Sequence, residues 1–320
     1  MTGDDNSALA RHLHQLSRKL PMARLLATLR VAGARVCGVS LKRGHNSVRL
    51  VFEHGRLTFR GLWMCERRYT CPTCSPRWLR KQRDAIQMLL ADNDTLGGDS
   101  VMVSLSLAFP LGLTLSERWG ILRDLNTKLG ASKRSRTARA AAGKIGLVKV
   151  VHPIHGEHGW HVHLHLLYIL NRGITGTEAD KLKQVETAVW ADLADKAGCA
   201  AEPGVQTYTR IGRTEGDFKR VARYLTKGIQ EIELGRKAPN LDYYTCRLER
   251  GKNRSPWQML DDATFHDDTD ALAPLREWVE VMESATFQTV HLPRRLMTRL
   301  HEDAVAVRES PAGTAKDEVA

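Results

Sequence analysis

The chain has 320 residues, 42% of them apolar, and 48 Lys and Arg against 36 Asp and Glu give a formal net charge of +12. This length and apolar share support a buried core in two domains, or in one with appendages, and the absence of an 18-residue apolar run or a signal-peptide pattern excludes a membrane-spanning chain and implies a cytoplasmic one. The basic excess favours a polyanionic partner, nucleic acid first, over charge carried for solubility alone, and in that compartment the six cysteines suit metal ligation better than disulfides.

In chain order, Leu9, Leu13, Leu16, Leu20, Ala23, Leu26 and Leu29 recur at helical spacing, which predicts one or two amphipathic helices over 7–29, broken near Pro21. Short alternating runs at 35–41, 47–52 and 56–62 predict a small antiparallel unit. It leads into Cys65 and Cys71-Pro72-Thr73-Cys74. The second of these is a zinc-knuckle spacing, and Cys65 and Cys37 complete a tetrahedral Zn²⁺ site, with His45 or His54 as alternatives to Cys37. Arg67, Arg68, Arg77, Arg80, Lys81 and Arg83 crowd this segment, making it a candidate duplex-DNA-binding module. A helix over 76–90 follows, then a strand over 101–107 with apolar residues on one face and small polar ones on the other. Beyond a helix at 115–129, the basic stretch 133–139 reads either as a solvated connector or as a phosphate contact.

The centre of the chain is Gly159-Trp160-His161-Val162-His163-Leu164-His165, running on into apolar residues. Alternation by two puts all three imidazoles on one strand face, where charged rings would repel and neutral rings would lose water. Metal ligation answers both problems; a structural or base-stacking role is the alternative. Upstream, 147–152 forms a second β-rich run ending at His152. If Glu157 and His158 make a two-residue turn, Gly156 faces Gly159, His152 faces His163 and Val150 faces His165. His152 then joins His163 and His165 as a ligand, whereas a one-residue slip would turn it to the other face.

Helical periodicity returns at 178–197, a strand is expected at 205–211, and a helix at 217–227 carries Tyr224. A phenol with its pKa near 10 needs cations or a base to attack phosphorus at neutral pH. Arg220 at i−4 and Lys227 at i+3 stand on its helix face, with Arg223 adjacent, although a tyrosine in such a helix can also simply pack. Farther on, Tyr243-Tyr244 is a second candidate pair. Ser255-Pro256 opens a helix, a Trp-containing helix covers 275–285, a basic amphipathic helix covers 292–307, and 310–320 has the composition of a disordered tail.

His163-Leu164-His165-Leu166-Leu167-Tyr168, led by Gly159-Trp160-His161, resembles the metal motif of rolling-circle plasmid replication initiators, which belong to the HUH endonuclease superfamily. The cysteine cluster, the 101–107 strand, Tyr224-Leu225-Thr226-Lys227 as Tyr-x-x-Lys, and the Pro256-Trp257 segment are similar to further parts of these initiators. Where the family has a carboxylate near the strand pair this chain has His152. Where some relatives place a glutamate four residues before the tyrosine it has Arg220, leaving Glu215 or Asp217 to activate water.

The resemblance implies an α+β core, a central antiparallel sheet with helices on one face, flanked by an N-terminal zinc unit and C-terminal helices. The expected divisions are 1–95, 96–235, 236–309 and the tail 310–320. It also implies catalysis by Tyr224 and Lys227, Mn²⁺ or Mg²⁺ on the histidines, and DNA contacts from Arg67, Arg68, Arg220 and Arg223. The reaction would nick single-stranded DNA at a plasmid origin, leaving a 5′-phosphotyrosyl link and a 3′-OH primer for host DNA polymerase and helicase. An HUH relaxase or transposase, or a non-catalytic zinc-dependent DNA-binding regulator, are the competing readings.

Overall fold

Helix α1 (17–28) buries Met22, Ala23 and Leu26 along one stripe and continues through Pro21, where contacts of that stripe offset the one hydrogen bond a proline forgoes. The structure is a computed structural model that describes residues 17–53, 56–228, 253–284 and 289–309. Tyr243, Tyr244, His54 and the 310–320 tail lie outside the described residues. By its contacts the chain divides into two units, Met1–Lys81 with Lys227–Phe287, and Gln82–Thr226 with Gln288–Ala320. No helix among the described residues is long and apolar enough to cross a membrane.

In the first unit, strands β1 (Arg49–Glu53) and β2 (Arg56–Arg60) form an isolated antiparallel ribbon. Below it the chain pairs again at Leu41 and Leu62, and backbone bonds Trp63 N–H to Ser40 O and Gly38 N–H to Trp63 O, both 2.8 Å, bring Cys37 and Cys65 to its base. Helix α2 (Cys74–Thr95) starts on the last cysteine of the knuckle.

The second unit is built on an antiparallel sheet of β3 (Ser100–Leu105), β4 (Lys144–Gly156), β5 (Gly159–Leu170) and β6 (Thr207–Arg210) in the order β6-β3-β5-β4, with Val290–His291 pairing β4. One face meets α3 (Leu115–Ala131), α4 (Lys133–Ala141) and α5 (Gly176–Lys196). The basic stretch at 133–139 is thus a helix, not a connector: alanine and arginine favour helix, and Ser135 and Arg139 give it a buried side. On this face the buried Glu186 carboxylate accepts from Tyr168 (2.8 Å) and Tyr208 (3.2 Å) and pairs with Arg139.

Helices lie on the opposite face as well, where the helix carrying Tyr224 is expected to reach the histidines. Past the histidines, that side of β5 continues with Leu167 and Ile169, both fully buried, so it too needs an apolar cover. Helix α6 (Glu215–Leu225) supplies part of it. The C-terminal helices divide between the two units. Helices α7 (Pro256–Phe265) and α8 (Leu272–Glu283) belong to the first unit, where Asp261 pairs with Arg18, and Glu283 meets Arg67 (2.9 Å) and Thr70 (2.6 Å). Helix α9 (Arg294–Glu309) belongs to the second. Its Leu296 fills the space over Gly146, where a Cβ would come within 2.1 Å, and its His301 and Arg308 grip the buried Asp92 at 2.9 Å each.

Asp99, with its side chain wholly buried, accepts from Ile174 N–H (2.8 Å) and Arg213 (2.8 Å) and forms an ion pair with Arg210 (2.8 Å). Burial opposes its ionisation, but these donors outweigh burial and hold the carboxyl below the ordinary range. A depressed pKa contributes stability that is present above the unfolded value, about 3.9, and is lost as pH falls through the folded one. Asp99→Asn should therefore cost on the order of 2 kcal/mol at pH 7 and leave a flatter acid limb. Urea unfolding at pH 7 and pH 3 checks this; equal slopes with pH in both proteins would refute it.

Candidate active site and metal centre

The histidine hairpin turns at Glu157-His158, and Gly159 follows at φ +81°, the left-handed position that closes a short hairpin loop. This fixes the pairing Gly156–Gly159, His152–His163 and Val150–His165, as the sequence predicts. His152 and His165 lie with ring centroids 4.8 Å apart. On the far side of β5, Ser104 stands opposite His165 and its hydroxyl lies 2.9 Å from His165 Nδ1; the Ser106 hydroxyl lies 3.0 Å from His163 Nδ1. A hydroxyl partner on Nδ1 fixes the orientation of each ring.

The other two histidines have neighbours of their own. His152 Nε2 sits 3.3 Å from the Leu225 carbonyl and donates to one of the orphan acceptors at the end of α6. His161, opposite Ile154 near the turn, is held below its usual pKa by burial, then by Arg118 and His158.

Tyr224 approaches from α6. The helix starts at Thr214, whose hydroxyl accepts from Asp217 N–H in a capping box, and Phe218, Val221, Ala222 and Leu225 form its buried side. The tyrosine ring lies edge-on to His165 (centroids 5.1 Å) and to His152 (6.2 Å). The cations are arranged otherwise than a continuous helix would put them. The helix ends at Leu225 with Thr226 as cap, so Lys227 falls beyond it rather than one turn along the same face. Arg220 pairs with Asp217 at 2.8 Å, and Glu215 with Lys219; Arg223 is exposed.

The comparisons place nothing beside this chain: no family model, curated protein or solved structure matches it.

In the first unit, Cys37, Cys65, Cys71 and Cys74 bring their sulfurs within 4.8 Å of one another, close enough to hold a metal ion. The Cys37–Cys74 and Cys65–Cys74 sulfur separations, 3.4 and 3.7 Å, compare with the edge of about 3.8 Å that a tetrahedron of 2.3 Å Zn–S bonds requires, so the set is compatible with structural zinc. Hydrogen bonds from Cys37 pull the Cys74 and Cys65 thiols down, and the same sulfur contacts push Cys37 and Cys71 up. Gly38, at φ +74°, makes the turn after the first ligand; a Cβ there would lie 2.9 Å from Thr73 Cγ2. Of the arginines expected to contact DNA here, Arg67 is tied to Glu283, and Arg68 lies over the rings of Tyr69 (5.3 Å) and Trp78 (5.9 Å).

Among the described residues, the other group gathered this closely is Asp261, Asp262 and His266, where Arg18 and Arg254 already pair with the carboxylates. The histidines of the hairpin are not so gathered. Two supporting residues escaped the sequence reading. Buried Gln206 accepts from Ser106 N–H (2.7 Å) and donates to Ser106 O (3.2 Å), fixing the serine that holds His163. Buried Arg118 donates to the carbonyls of Leu113, Pro110, His158 and Trp160, tying the hairpin turn to α3. A lone Gln after a proline turn and an Arg within an apolar helix carry no periodic signal that could have marked them.

Proposed function

We propose that the second unit nicks and rejoins single-stranded DNA in the manner of HUH endonucleases, as a rolling-circle plasmid replication initiator, with Tyr224 as nucleophile. The observation that carries this reading is the approach of the Tyr224 ring to His165 and His152 from a separate helix. His163 and His165, with their Nδ1 atoms on serine hydroxyls, fit ligands of a divalent ion, and His152 would join them on release of the Leu225 carbonyl. When bound, Mn²⁺ or Mg²⁺ would polarise the non-bridging phosphate oxygens, and the imidazole set favours Mn²⁺.

The chain's own residues do the rest. The Tyr224 oxygen attacks phosphorus and yields its proton to solvent, the P–O3′ bond breaks, and the departing oxygen takes up a proton as the 3′-OH. One phosphoester replaces another, so rejoining needs no nucleoside triphosphate.

The test uses a library of single-stranded oligonucleotides with Mn²⁺. A 3′ label should become attached to the protein through detergent treatment, and a 5′ label should be released on a fragment that DNA polymerase extends. Cleavage with both labels free would mean water, not tyrosine, is the nucleophile. One observation favours a second reading, a zinc-dependent DNA-binding regulator: the cysteines converge on a metal-sized space and the histidines do not. Binding without any covalent product would support it.

The serine contacts make a graded prediction. Ser106→Ala should weaken Mn²⁺-dependent adduct formation about 10- to 100-fold at limiting metal and recover at saturating metal. A metal titration reads this directly, and an unchanged midpoint would remove Ser106 from the metal's support.

A further inference from the structure

The ribbon β1–β2 gathers positive charge on an exposed pair of strands. Arg49 and Arg60 are directly opposed across it, and both are exposed. Like charges so placed, with Cβ atoms about 5 Å apart, destabilise an antiparallel pair. Lys42 and Arg43, also exposed, stand just below, where Lys42 N–H bonds Gly61 O at 2.8 Å. Between Gly38 and Gly61 the sequence carries Lys42, Arg43, Arg49, Arg56 and Arg60 against a single carboxylate, Glu53, which is opposite Arg56 in the register near the tip. Among the described residues the ribbon has two strands, and a two-stranded hairpin by itself is at best marginally stable in water.

We propose that this ribbon is a duplex-DNA-binding arm, entering the major groove and neutralising backbone phosphates with Arg49, Arg60, Lys42 and Arg43. Five residues per strand make it about 17 Å long, and a two-stranded ribbon fits a major groove about 12 Å wide. Each of the two guanidiniums can clamp its own backbone phosphate through paired N–H donors. The charge is one-signed, as a phosphate backbone demands. The exposed Val39, Leu41 and Val48 at the base offer apolar contact beside it. The choice of DNA as partner rests on the nicking function proposed above. The arm adds a duplex grip distinct from the single-strand chemistry.

The experiment measures anisotropy of a labelled 30-base-pair duplex with the full-length protein between 50 and 200 mM salt. Arg49→Ala/Arg60→Ala should weaken duplex binding about tenfold and lower the salt slope by about 1.8, at 0.9 per phosphate contact. Arg49→Lys/Arg60→Lys should retain most of that slope, which separates charge from folding. Single-strand adduct formation should be unaffected in both. The inference is overturned if the alanine variant keeps its slope, if the lysine variant loses as much as the alanine one, or if the alanine variant changes the oligomeric state instead of duplex affinity. Loss of duplex binding in a protein that never forms an adduct would support the arm while defeating the nuclease.

Discussion

Tyr224→Phe is expected to leave a folded protein that still binds single-stranded DNA and no longer attaches to it. The phenyl ring preserves the edge-on packing against His165 and His152, so only the oxygen is lost. Removing the nucleophile of a covalent mechanism costs at least about 10³-fold in rate, which takes adduct below detection. Of the six tyrosines, Tyr168 and Tyr208 are poor substitutes: burial, then the Glu186 charge, pushes both phenols far above their usual value. Tyr69 is half-buried and also raised by burial, in the other unit. Adduct persisting in Tyr224→Phe would therefore transfer the role to Tyr243 or Tyr244, or end the tyrosine mechanism.

The second large effect concerns the cysteine cluster. Four sulfurs in metal-sized proximity have little reason to stay together without a cation. In small zinc modules, metal binding supplies about 10–16 kcal/mol of folding free energy. The purified protein should carry one zinc per chain, and Cys71→Ser should abolish it. Around that site Trp63, Met64 and Cys65 pack against Cys37, Cys71 and Cys74, so the near-ultraviolet signal of Trp63 should collapse with the metal. The second unit, with its own sheet core, should keep its far-ultraviolet signal. Zinc-free protein with an intact Trp63 environment would show that the sulfurs are held by packing alone.

Where the sequence was informative, a periodicity was tied to a turn. Alternation by two and the Glu157-His158 turn were enough to pair His152 with His163, because a two-residue turn leaves one register. The Cys-x-x-Cys spacing marked two members of the sulfur cluster, and the nearness of Cys37 and Cys65 in the chain marked the others. The misreadings arose where tertiary context decides. The end of α6 depends on the Thr226 cap and on His152 binding a carbonyl, so Lys227 was placed one turn along a helix that had already stopped. That α9 also covers the histidine face follows from Leu296 seated over Gly146, a contact between residues far apart in the chain. The connector at 133–139 was judged by its charge, whereas its alanines and the buried Arg139–Glu186 pair make it a helix.

Both units are discontinuous in sequence, each assembled from an early segment and a late one. During synthesis, the cysteine half must wait for α7 and α8, and the sheet half must wait for α9, before either is complete. Proteins usually fold domain by domain from the N-terminus as they leave the ribosome; here that order is blocked, and the exposed apolar layer around Ile169 must be shielded until nearly the whole chain has emerged. Fragments cut at 95 or 235 would each lack a partner segment, so they should express as aggregates, and a circularly permuted gene that restores contiguity to one half would be the better source of an isolated one.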